Sequence, residues 1–332
     1  MKRAIPLLLM VFLFFALRLS AQEASHLTPG CGNPILPGYF ADPTIKKFGD
    51  TWYIYATTDG NNDGRGPAEV WTSKDFVNWT MHEMNWPITQ GGLYWAPDVT
   101  IGPDRKYHLL YNVPCQTYIG TGDTPLGPWK NSLGEDKTLI PDKVMPGVIT
   151  LDSQTFRDDD GKFYVVFGTW GIFPNGGCGI GLLNNDMKSV DKYEKIPNTQ
   201  ATDFFEAPFL FKKDGIYYFT YSSGSCHDGT YRVQYAISRT SPFGPYEFGK
   251  NNPILKTSQD GTVHGPGHHS IIQNGDDYYM VYHRHDNPNS AHGMHRQVCA
   301  DKMVFGPDGT IEKVIPTHKG IGALAENTNP FP

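Results

Sequence analysis

The sequence predicts an all-β fold, a five-bladed β-propeller that forms a single domain. No stretch of helical length carries apolar side chains at helical spacing. Short runs rich in Tyr, Phe, Trp, Val, Ile and Thr dominate instead, and 36 glycines and 26 prolines mark the turns between them. One pattern recurs in five units of about 55 residues: an opening residue, acidic in four units and histidine in the fifth, is followed by an apolar run, a polar turn and an aromatic run. Four carboxylates are thus predicted to share one phase of the repeat. Repeated four-stranded units of this length indicate the blades of a propeller.

Each unit is predicted to contain four antiparallel strands bounded by Gly, Pro, Asn and Asp. The connection before the last strand is itself repeated, as TPLGPW at 124–129 and SPFGPY at 241–246. The predicted strands are 44–48, 52–57, 69–73 and 78–83; 99–101, 107–112, 117–120 and a short strand near Trp129; 154–157, 163–168, 179–183 and 193–196; 209–212, 216–222, 231–238 and 246–248; and 270–273, 277–283, 295–304 and 311–315.

The residues that open the repeats point to chemistry at one end of the propeller. The innermost strand of every blade starts near the central axis, so we expect the residues at those starts to line one funnel. Two carboxyl groups in different environments are what cleavage of a glycosidic bond requires. For any one of them alone, the alternative is an Asp that caps backbone N–H groups in a turn. The five units open with Asp42, Asp98, Asp152, Glu206 and His269.

The neighbours of these positions suggest different roles. Glu206 directly follows two phenylalanines, and apolar surroundings raise the pKa of a carboxyl group, which suits a general acid. Asp152 has small hydroxyl-bearing neighbours, which favour its ionised form. Trp95 precedes Asp98 by three residues and offers an aromatic wall on which a sugar can stack. Ordinary packing within the blade is the alternative for Trp95.

The last unit is rich in histidine, which indicates either a metal site or polar side chains that line the channel. No HExxH motif is present, and the spacing of residues on strands does not show which imidazoles converge. Both interpretations stay open at this point. The histidines are His264, His268, His269, His283, His285, His292 and His295, and Asp286 lies among them.

Charge and cysteine content exclude some classes of function. The formal net charge is −6 and the chain has no basic run, which argues against a nucleic-acid partner. The five cysteines are far apart and form no CxxC motif, which argues against a zinc ribbon. Their odd number leaves at least one thiol without an intramolecular partner, while one or two disulfides are compatible with an exported protein.

Residues 1–21 are predicted to be a signal peptide. Lys2 and Arg3 precede an almost wholly apolar run that ends before Leu19-Ser20-Ala21, and a small residue at that point is typical of signal cleavage. The run is short for a membrane span, which needs about 20 apolar residues. We therefore expect a secreted or periplasmic protein whose mature part, 22–332, is one catalytic domain without a membrane span.

Four motifs in order, at blade spacing, are similar to those of glycoside hydrolase family 43. They are A-D-P at 41–43, T-L-D-S at 150–153, F-E-A-P at 205–208 and G-P-G-H-H-S at 265–270. The resemblance covers 33–316. It implies a five-bladed propeller that hydrolyses plant oligosaccharides or polysaccharides containing arabinose or xylose, with inversion of the anomeric carbon.

The resemblance also implies roles for individual residues. Asp42 matches the general base, Glu206 the general acid, and Asp152 the residue that tunes the pKa of the acid and orients the substrate. Arg296, in H-R-Q-V, matches an arginine that contacts substrate near the acid. His268 matches a histidine that binds Ca²⁺ in the central channel, directly or through water. Asp98 is predicted only to line the pocket, and no organic cofactor is implied.

The expected activity is that of an exo-acting α-L-arabinofuranosidase. The segments 59–67 and 174–177 are insertions at loop ends, where they could shape a closed pocket. A β-xylosidase and an endo-arabinanase of the same family are alternatives. A non-catalytic glycan-binding propeller, or one that binds proteins through its outer faces, is the alternative from another class of function.

Overall fold

The computed structural model describes residues 32–59, 66–86, 93–134, 137–173, 175–286 and 293–324. Within these ranges the chain forms strands and no helix, so no helix is available to cross a membrane. The strands form five antiparallel sheets, which confirms the all-β, five-bladed propeller. The predicted signal peptide lies outside the described residues.

The five sheets follow one another along the chain. Most strands agree with the predicted ones to within a few residues, and the short strand β17 was not predicted. In blade 1 the strands are β1 (Phe40–Phe48), β2 (Thr51–Thr58), β3 (Glu69–Ser73) and β4 (Thr80–Glu83); in blade 2, β5 (Trp95–Ile101), β6 (Tyr107–Asn112), β7 (Thr117–Gly122) and β8 (Lys130–Asn131); in blade 3, β9 (Gln154–Arg157), β10 (Phe163–Phe167), β11 (Gly177–Leu183) and β12 (Val190–Pro197); in blade 4, β13 (Glu206–Lys213), β14 (Ile216–Ser223), β15 (Arg232–Ser238), β16 (Glu247–Phe248) and β17 (Leu255–Lys256); and in blade 5, β18 (His264–Asn274), β19 (Asp277–His285) and β20 (Arg296–Met303).

The apolar core lies between the blades. Five clusters of buried side chains are present, and each joins residues from two neighbouring blades, so the ring of blades is closed by packing. Between blades 5 and 1, for example, Trp52 and Ile54 pack with Val281 and Val298, all at most 1% exposed. Burial of each such side chain contributes roughly 1.5–3 kcal/mol. The many short aromatic-rich strands thus supply the area that holds the blades together.

The fifth blade differs from the prediction, because its sheet has three strands among the described residues. In place of the predicted strand 311–315, Ile311 forms only an isolated bridge with Phe305. The free edge of β20 is covered from the other end of the chain. The backbone N–H of Ile35 donates to Val298, and the side chain of Asn33 bonds both the N–H and the carbonyl of Ala300. These hydrogen bonds satisfy backbone groups of β20 that would be unpaired without the predicted fourth strand.

In four blades the first strand starts earlier than predicted, because it contains a β-bulge near the axis. Register shifts occur between Ala41 and Thr44 in blade 1, and at the same place in blades 2, 4 and 5. One residue in each bulge, and one just before β9, has a left-handed backbone with φ between 42° and 56°. These five residues are Asp42, Ala96, Asp152, Ala207 and His268.

The residues predicted to be equivalent do not lie at the same position relative to the left-handed residue of each blade. Asp98 lies two residues after the equivalent position in its blade, Glu206 one residue before it and His269 one residue after it. The prediction that four carboxylates share one phase was therefore wrong. A shift of one residue turns a side chain to the opposite face of a strand, and a bulge aims it again.

The N–H groups of the bulges tie four of the blades to the one before them. The N–H of Ala96 donates to Thr57 Oγ1 over 3.0 Å, and that of His268 donates to Ser222 Oγ over 2.9 Å. In blade 1 the N–H of Asp42 donates to His283 Nδ1, and in blade 4 the N–H of Ala207 donates to Asp152 Oδ2. All four bulges are thus anchored by a side chain of the preceding blade.

The four cysteines in the described ranges are free thiols. Cys178, Cys226 and Cys299 are buried and Cys115 is half-buried. Cys31 lies outside the described residues.

We predict that Asn33→Ala lowers the free energy of unfolding by about 2 kcal/mol, because it leaves buried hydrogen-bonding groups of Ala300 and Asp301 without their partner. Urea denaturation followed by tryptophan fluorescence measures this. The matched control is Asn185→Ala in the exposed turn between β11 and β12, which we expect to change stability by less than about 0.5 kcal/mol. Equal effects of the two substitutions would contradict a closing role for Asn33.

Candidate active site

One cavity opens at the end of the axis where the bulges lie, and it encloses about 480 Å³ including its mouth. It brings together six of the seven residues predicted for the site and leaves out Asp98. Five further residues, which were not predicted, complete its wall. The lining residues are Asp42, Trp95, Leu151, Asp152, Trp170, Glu206, Cys226, His227, His268, Met294 and Arg296.

Asp42 is surrounded by hydrogen-bond donors. Its Oδ1 accepts from Arg296 Nη1 and His268 Nδ1, each over 3.0 Å, and its Oδ2 accepts from Thr57 Oγ1 over 2.7 Å. Burial raises the pKa of Asp42, but the positive charges of Arg296 and His268 outweigh burial and hold this pKa well below its usual value. Asp42 is therefore ionised at neutral pH.

Arg296 is held by two carboxylates. Its Nε lies 2.9 Å from Asp59 Oδ2 and its Nη2 lies 3.2 Å from Asp59 Oδ1, while Nη1 reaches Asp42. The resemblance placed this arginine near the acid, whereas here its guanidinium is bound to the predicted base. Asp59 belongs to the predicted insertion 59–67 and is its one described residue that contacts Arg296. Residues 60–65 of this insertion, and residue 174 of the predicted insertion 174–177, lie outside the described residues.

Glu206 is buried in a different environment. Its Oε1 accepts a hydrogen bond of 2.6 Å from the Tyr231 hydroxyl. Burial, together with the negative charge of Asp152, raises the pKa of Glu206 to about 8, against the opposing effects of His268 and Tyr231. Glu206 is thus protonated at neutral pH, and the bond from Tyr231 to Oε1 leaves Oε2 to carry the proton.

Asp152 lies beside the acid, and its Oδ2 accepts from the N–H of Ala207, the residue after Glu206, over 3.1 Å. Burial raises the pKa of Asp152 to about 6, although the charge of His268, 3.9 Å away, lowers it. Asp152 is mostly ionised at pH 7. The predicted reason was wrong, because the Ser153 hydroxyl bonds Thr117 and not Asp152.

Three buried histidines differ in charge. Burial opposes protonation of His268, but the carboxylates of Asp42 and Asp152 outweigh it and raise the pKa of His268 to about 9. Burial lowers the pKa of His269 and of His283 to about 3, so both rings are neutral. Since His283 Nδ1 accepts the N–H of Asp42, its proton lies on Nε2. The cationic His268 and Arg296 thus balance the anionic Asp42 and Asp152 within the cavity.

Asp98 was wrongly predicted to line the pocket. Its carboxylate forms an ion pair of 2.8 Å with Lys46 Nζ and accepts hydrogen bonds from the N–H and hydroxyl of Thr155. Lys46 is on blade 1 and Thr155 is on blade 3, so this buried carboxylate joins three blades. These contacts with the neighbouring blades hold the carboxylate outside the cavity.

Two places could hold a metal ion. Ligand atoms of Asp152, Glu206 and His268 lie within 4.8 Å of one another. At neutral pH, however, protons occupy Glu206 and His268, and His268 Nδ1 is bonded to Asp42, so an ion there would have to displace both protons. The prediction that His268 binds a metal stays a prediction.

The second place is a smaller cavity on the axis, lined by residues near the start of the first strand of all five blades. His269 Nδ1 is buried there and has no hydrogen-bond partner among the described residues, while its Nε2 bonds Thr220 Oγ1. A neutral imidazole nitrogen of this kind accepts a hydrogen bond from water. Ca²⁺ prefers oxygen ligands, so His269 would hold that ion there through a water of its shell.

Aromatic rings form one wall of the active-site cavity. Trp95 and Trp170 meet edge to face, with centroids 5.8 Å apart and an interplanar angle of 80°. Trp95 was predicted as a sugar-stacking wall and does line the cavity. Trp170 was missed because it follows β10 and has no counterpart at the start of a repeat. The G-T-W-G sequence at 168–171, an aromatic residue between glycines, was the available signal.

Tyr231 and Thr57 were also missed. The Tyr231 hydroxyl donates to Glu206 and the Thr57 hydroxyl donates to Asp42, which orients both carboxyl groups. Nothing in the local sequence marks either residue. Tyr231 stacks on His283 with ring centroids 5.6 Å apart, which connects the surroundings of the acid to those of the base.

Comparison with known proteins gives a consistent picture. A sequence model described as glycosyl hydrolases family 43 matches residues 31–311. A beta-D-galactofuranosidase of Aspergillus niger is 31% identical over 310 residues, covering 87% of this chain and 86% of that protein. An arabinoxylan arabinofuranohydrolase of Paenibacillus polymyxa is 27% identical, covering 97% of this chain but only 59% of that protein.

Solved structures agree. A chain described as a glycoside hydrolase has a TM-score of 0.77 at 32% identity and covers 92% of this chain and 68% of its own length. A family 43 arabinoxylan arabinofuranohydrolase from Bacillus subtilis has a TM-score of 0.74 at 25% identity, covering 89% of this chain and 70% of its own length.

Proposed function

This chain belongs to the glycosyl hydrolases family 43, and on that premise we propose that it is an exo-acting, inverting α-L-arabinofuranosidase. The observation that carries the proposal is the opposite protonation of two buried carboxyl groups in one cavity. Asp42 is ionised and Glu206 is protonated at neutral pH. Titratable groups whose surroundings separate their pKa values in this way are suited to act as base and acid.

The reaction follows from these states. Glu206 Oε2 donates its proton to the glycosidic oxygen as the bond between that oxygen and the anomeric carbon breaks. A water molecule attacks the anomeric carbon from the opposite face and loses a proton to Asp42, which inverts the configuration. Oδ2 is the suitable acceptor, because Oδ1 already takes two hydrogen bonds from cationic groups whereas Oδ2 takes one, from Thr57. Proton exchange with solvent then restores both carboxyl groups.

The other charged residues set these states. The negative charge of Asp152 helps to keep Glu206 protonated. Arg296 and His268 keep Asp42 ionised. The binding of Asp152 Oδ2 to the N–H after Glu206 also holds the acid in place, because it restricts the backbone on which Glu206 is carried.

The sugar is proposed from the relatives. Arabinofuranohydrolases from two bacteria and a galactofuranosidase from a fungus are among the relatives. α-L-Arabinofuranose and β-D-galactofuranose share the configuration of the five-membered ring and differ in the chain attached to it. A β-D-galactofuranosidase is therefore the second candidate, favoured by the 31% identity to the Aspergillus niger protein. A β-xylosidase is a relative at 26% identity, so a xyloside belongs in the assay panel.

We also propose that the protein is exported and that residues 1–21 are removed, because the N-terminus has the charged, apolar and small-residue segments of a signal peptide. N-terminal sequencing of the protein recovered from the medium or periplasm checks this. The mature chain would then be one catalytic domain acting on plant oligosaccharides or polysaccharides outside the cytoplasm.

A first prediction concerns the two carboxyl groups. We expect Asp42→Asn and Glu206→Gln each to lower kcat by about 10²–10⁴-fold on an unactivated arabinofuranoside. With a leaving group of low pKa, Glu206→Gln should lose much less activity, because such a group departs without a proton. Assays with aryl α-L-arabinofuranosides, β-D-galactofuranosides and β-D-xylosides, with the product anomer followed by NMR, measure this.

The matched control is Glu247→Gln on the exposed strand β16, which should leave kcat/KM unchanged. Equal losses of Glu206→Gln on good and poor leaving groups would contradict its role as the acid. A loss of substrate affinity without a loss of kcat in Asp42→Asn would make Asp42 a sugar ligand and not the base. A wild type that released no sugar from any of these substrates or from arabinoxylan would overturn the proposed function.

A second prediction concerns pH. The acid must be protonated, so kcat/KM of the wild type should fall as pH rises through about 8. Asp152→Asn removes a negative charge that raises the pKa of Glu206, so the alkaline limb should move to lower pH by about one unit. It should remain above the ordinary pKa of a glutamate, because burial still acts. An unchanged limb, or one displaced to higher pH, would show that Asp152 does not tune the acid. The control is Asp214→Asn in the exposed turn between β13 and β14.

A third prediction concerns a cation in the axial cavity. If a hydrated Ca²⁺ lies beside His269, it adds positive charge on the axis and stabilises the folded protein by binding only to it. Thorough chelation should then lower the melting temperature by a few degrees, and Ca²⁺ but not Mg²⁺ should restore it. Elemental analysis checks whether the protein contains calcium. If it contains none and chelation leaves the melting temperature unchanged, the ion is excluded.

A further inference from the structure

Three large apolar side chains are exposed within four residues of the loop after β10. Trp170 is 44% exposed, Ile172 48% and Phe173 37%. We call these three residues the aromatic rim. Single exposed apolar side chains are common on proteins, but a contiguous group beside a cavity indicates a binding surface.

The aromatic rim is continuous with the active-site cavity. Trp170 lines the cavity and contacts Trp95, so its ring has one part inside the wall and one part open to solvent. The N–H of Gly171 donates to the carbonyl of Phe205 over 3.4 Å. The rim is thereby joined to the residue directly before Glu206, on the side of the cavity from which the acid acts.

The backbone of the rim is held by blade 3. The carbonyl of Phe173 accepts hydrogen bonds of 2.9 Å from the N–H of Gly176 and from Asn198 Nδ2. The N–H of Asn198 in turn donates to Gly176 over 3.1 Å. The Phe173 ring lies against Gly171, where a Cβ would be 3.4 Å from it. A surface held in this way needs little ordering when a ligand binds, which favours affinity.

We propose that the aromatic rim binds the sugar on the leaving-group side of the bond that is cut. The inference rests on the proposed function. Glu206 protonates the oxygen of the leaving group, so the leaving group lies on the Glu206 side of the cavity. Sugar rings carry apolar C–H faces, and these stack on aromatic rings. The substrate class is then an oligosaccharide or polysaccharide with at least one further sugar ring beyond the cleaved bond, bound better than a simple glycoside.

The test compares two substrates that carry the same terminal sugar. Methyl α-L-arabinofuranoside has almost no leaving-group surface, whereas an arabinose-substituted xylo-oligosaccharide presents sugar rings to the rim. For each variant, the ratio of kcat/KM on the oligosaccharide to kcat/KM on the methyl glycoside is measured. We expect Trp170→Ala and Phe173→Ala each to lower this ratio by about tenfold, the factor expected when a stacked face of this size is lost.

The matched control is Phe248→Ala on β16, an aromatic side chain of similar exposure, 43%, on the outer strand of blade 4. It should leave the ratio unchanged. If Phe173→Ala also leaves the ratio unchanged, the proposal is overturned. If Trp170→Ala lowers kcat/KM equally on both substrates, Trp170 belongs to the pocket of the cleaved sugar, and its place in the rim is overturned.

A binding measurement covers variants that lose activity for other reasons. In the Glu206→Gln background, titration calorimetry with the same oligosaccharide should show about tenfold weaker binding when Phe173 is replaced by Ala, and an unchanged Kd would overturn the proposal. Failure of the proposed function is recognised separately, because the wild type would then not hydrolyse the methyl arabinofuranoside or the arabinosyl oligosaccharide. If the wild type cleaves galactofuranosides instead, the same ratio is measured with the corresponding pair of substrates.

Discussion

The site depends on how each inner strand reaches the propeller axis. It does so through a residue with a left-handed backbone, a conformation that costs an L-residue about 1–2 kcal/mol. The preceding blade offsets this cost, because its side chains accept the N–H groups of four of these five residues. Asp152 and His283 are acceptors in this ring and also lie beside the acid and the base. The bonds that assemble the blades therefore also position the reacting groups.

A second constraint is the charge confined at the end of the axis. A buried ionised group without a partner costs several kcal/mol, so the cavity needs compensation for Asp42 and Asp152. His268 and Arg296 provide it, and Asp59 supplies the further carboxylate that holds Arg296. No Lys or Arg of the described residues forms an ion pair with Glu206, which stays protonated because burial and the charge of Asp152 outweigh the effect of His268. The division into base and acid thus follows from which carboxyl group the two cations contact.

Closure of the ring and openness of the cavity are complementary features. Five apolar clusters join neighbouring blades, and the Asn33 segment covers the edge of β20, so the outer parts of the ring are fixed by packing. At the axis the bulges interrupt the ladders and leave polar space instead. The aromatic rim extends that space outward with apolar surface, which is what a ligand with both polar groups and C–H faces requires.

The sequence by itself determined the number of blades and most of the strands, because strand patterns and turns are local and repeat at a constant length. It also pointed to Asp42, Asp152 and Glu206, since each lies in a short motif. Only the tertiary structure decided that Asp98 faces away from the cavity and that Arg296 contacts Asp42. It alone revealed Tyr231 and Trp170. The physical reason is that a bulge of one residue changes the face of a strand without leaving a clear mark in the sequence. The decisive contacts, moreover, join blades that are far apart along the chain.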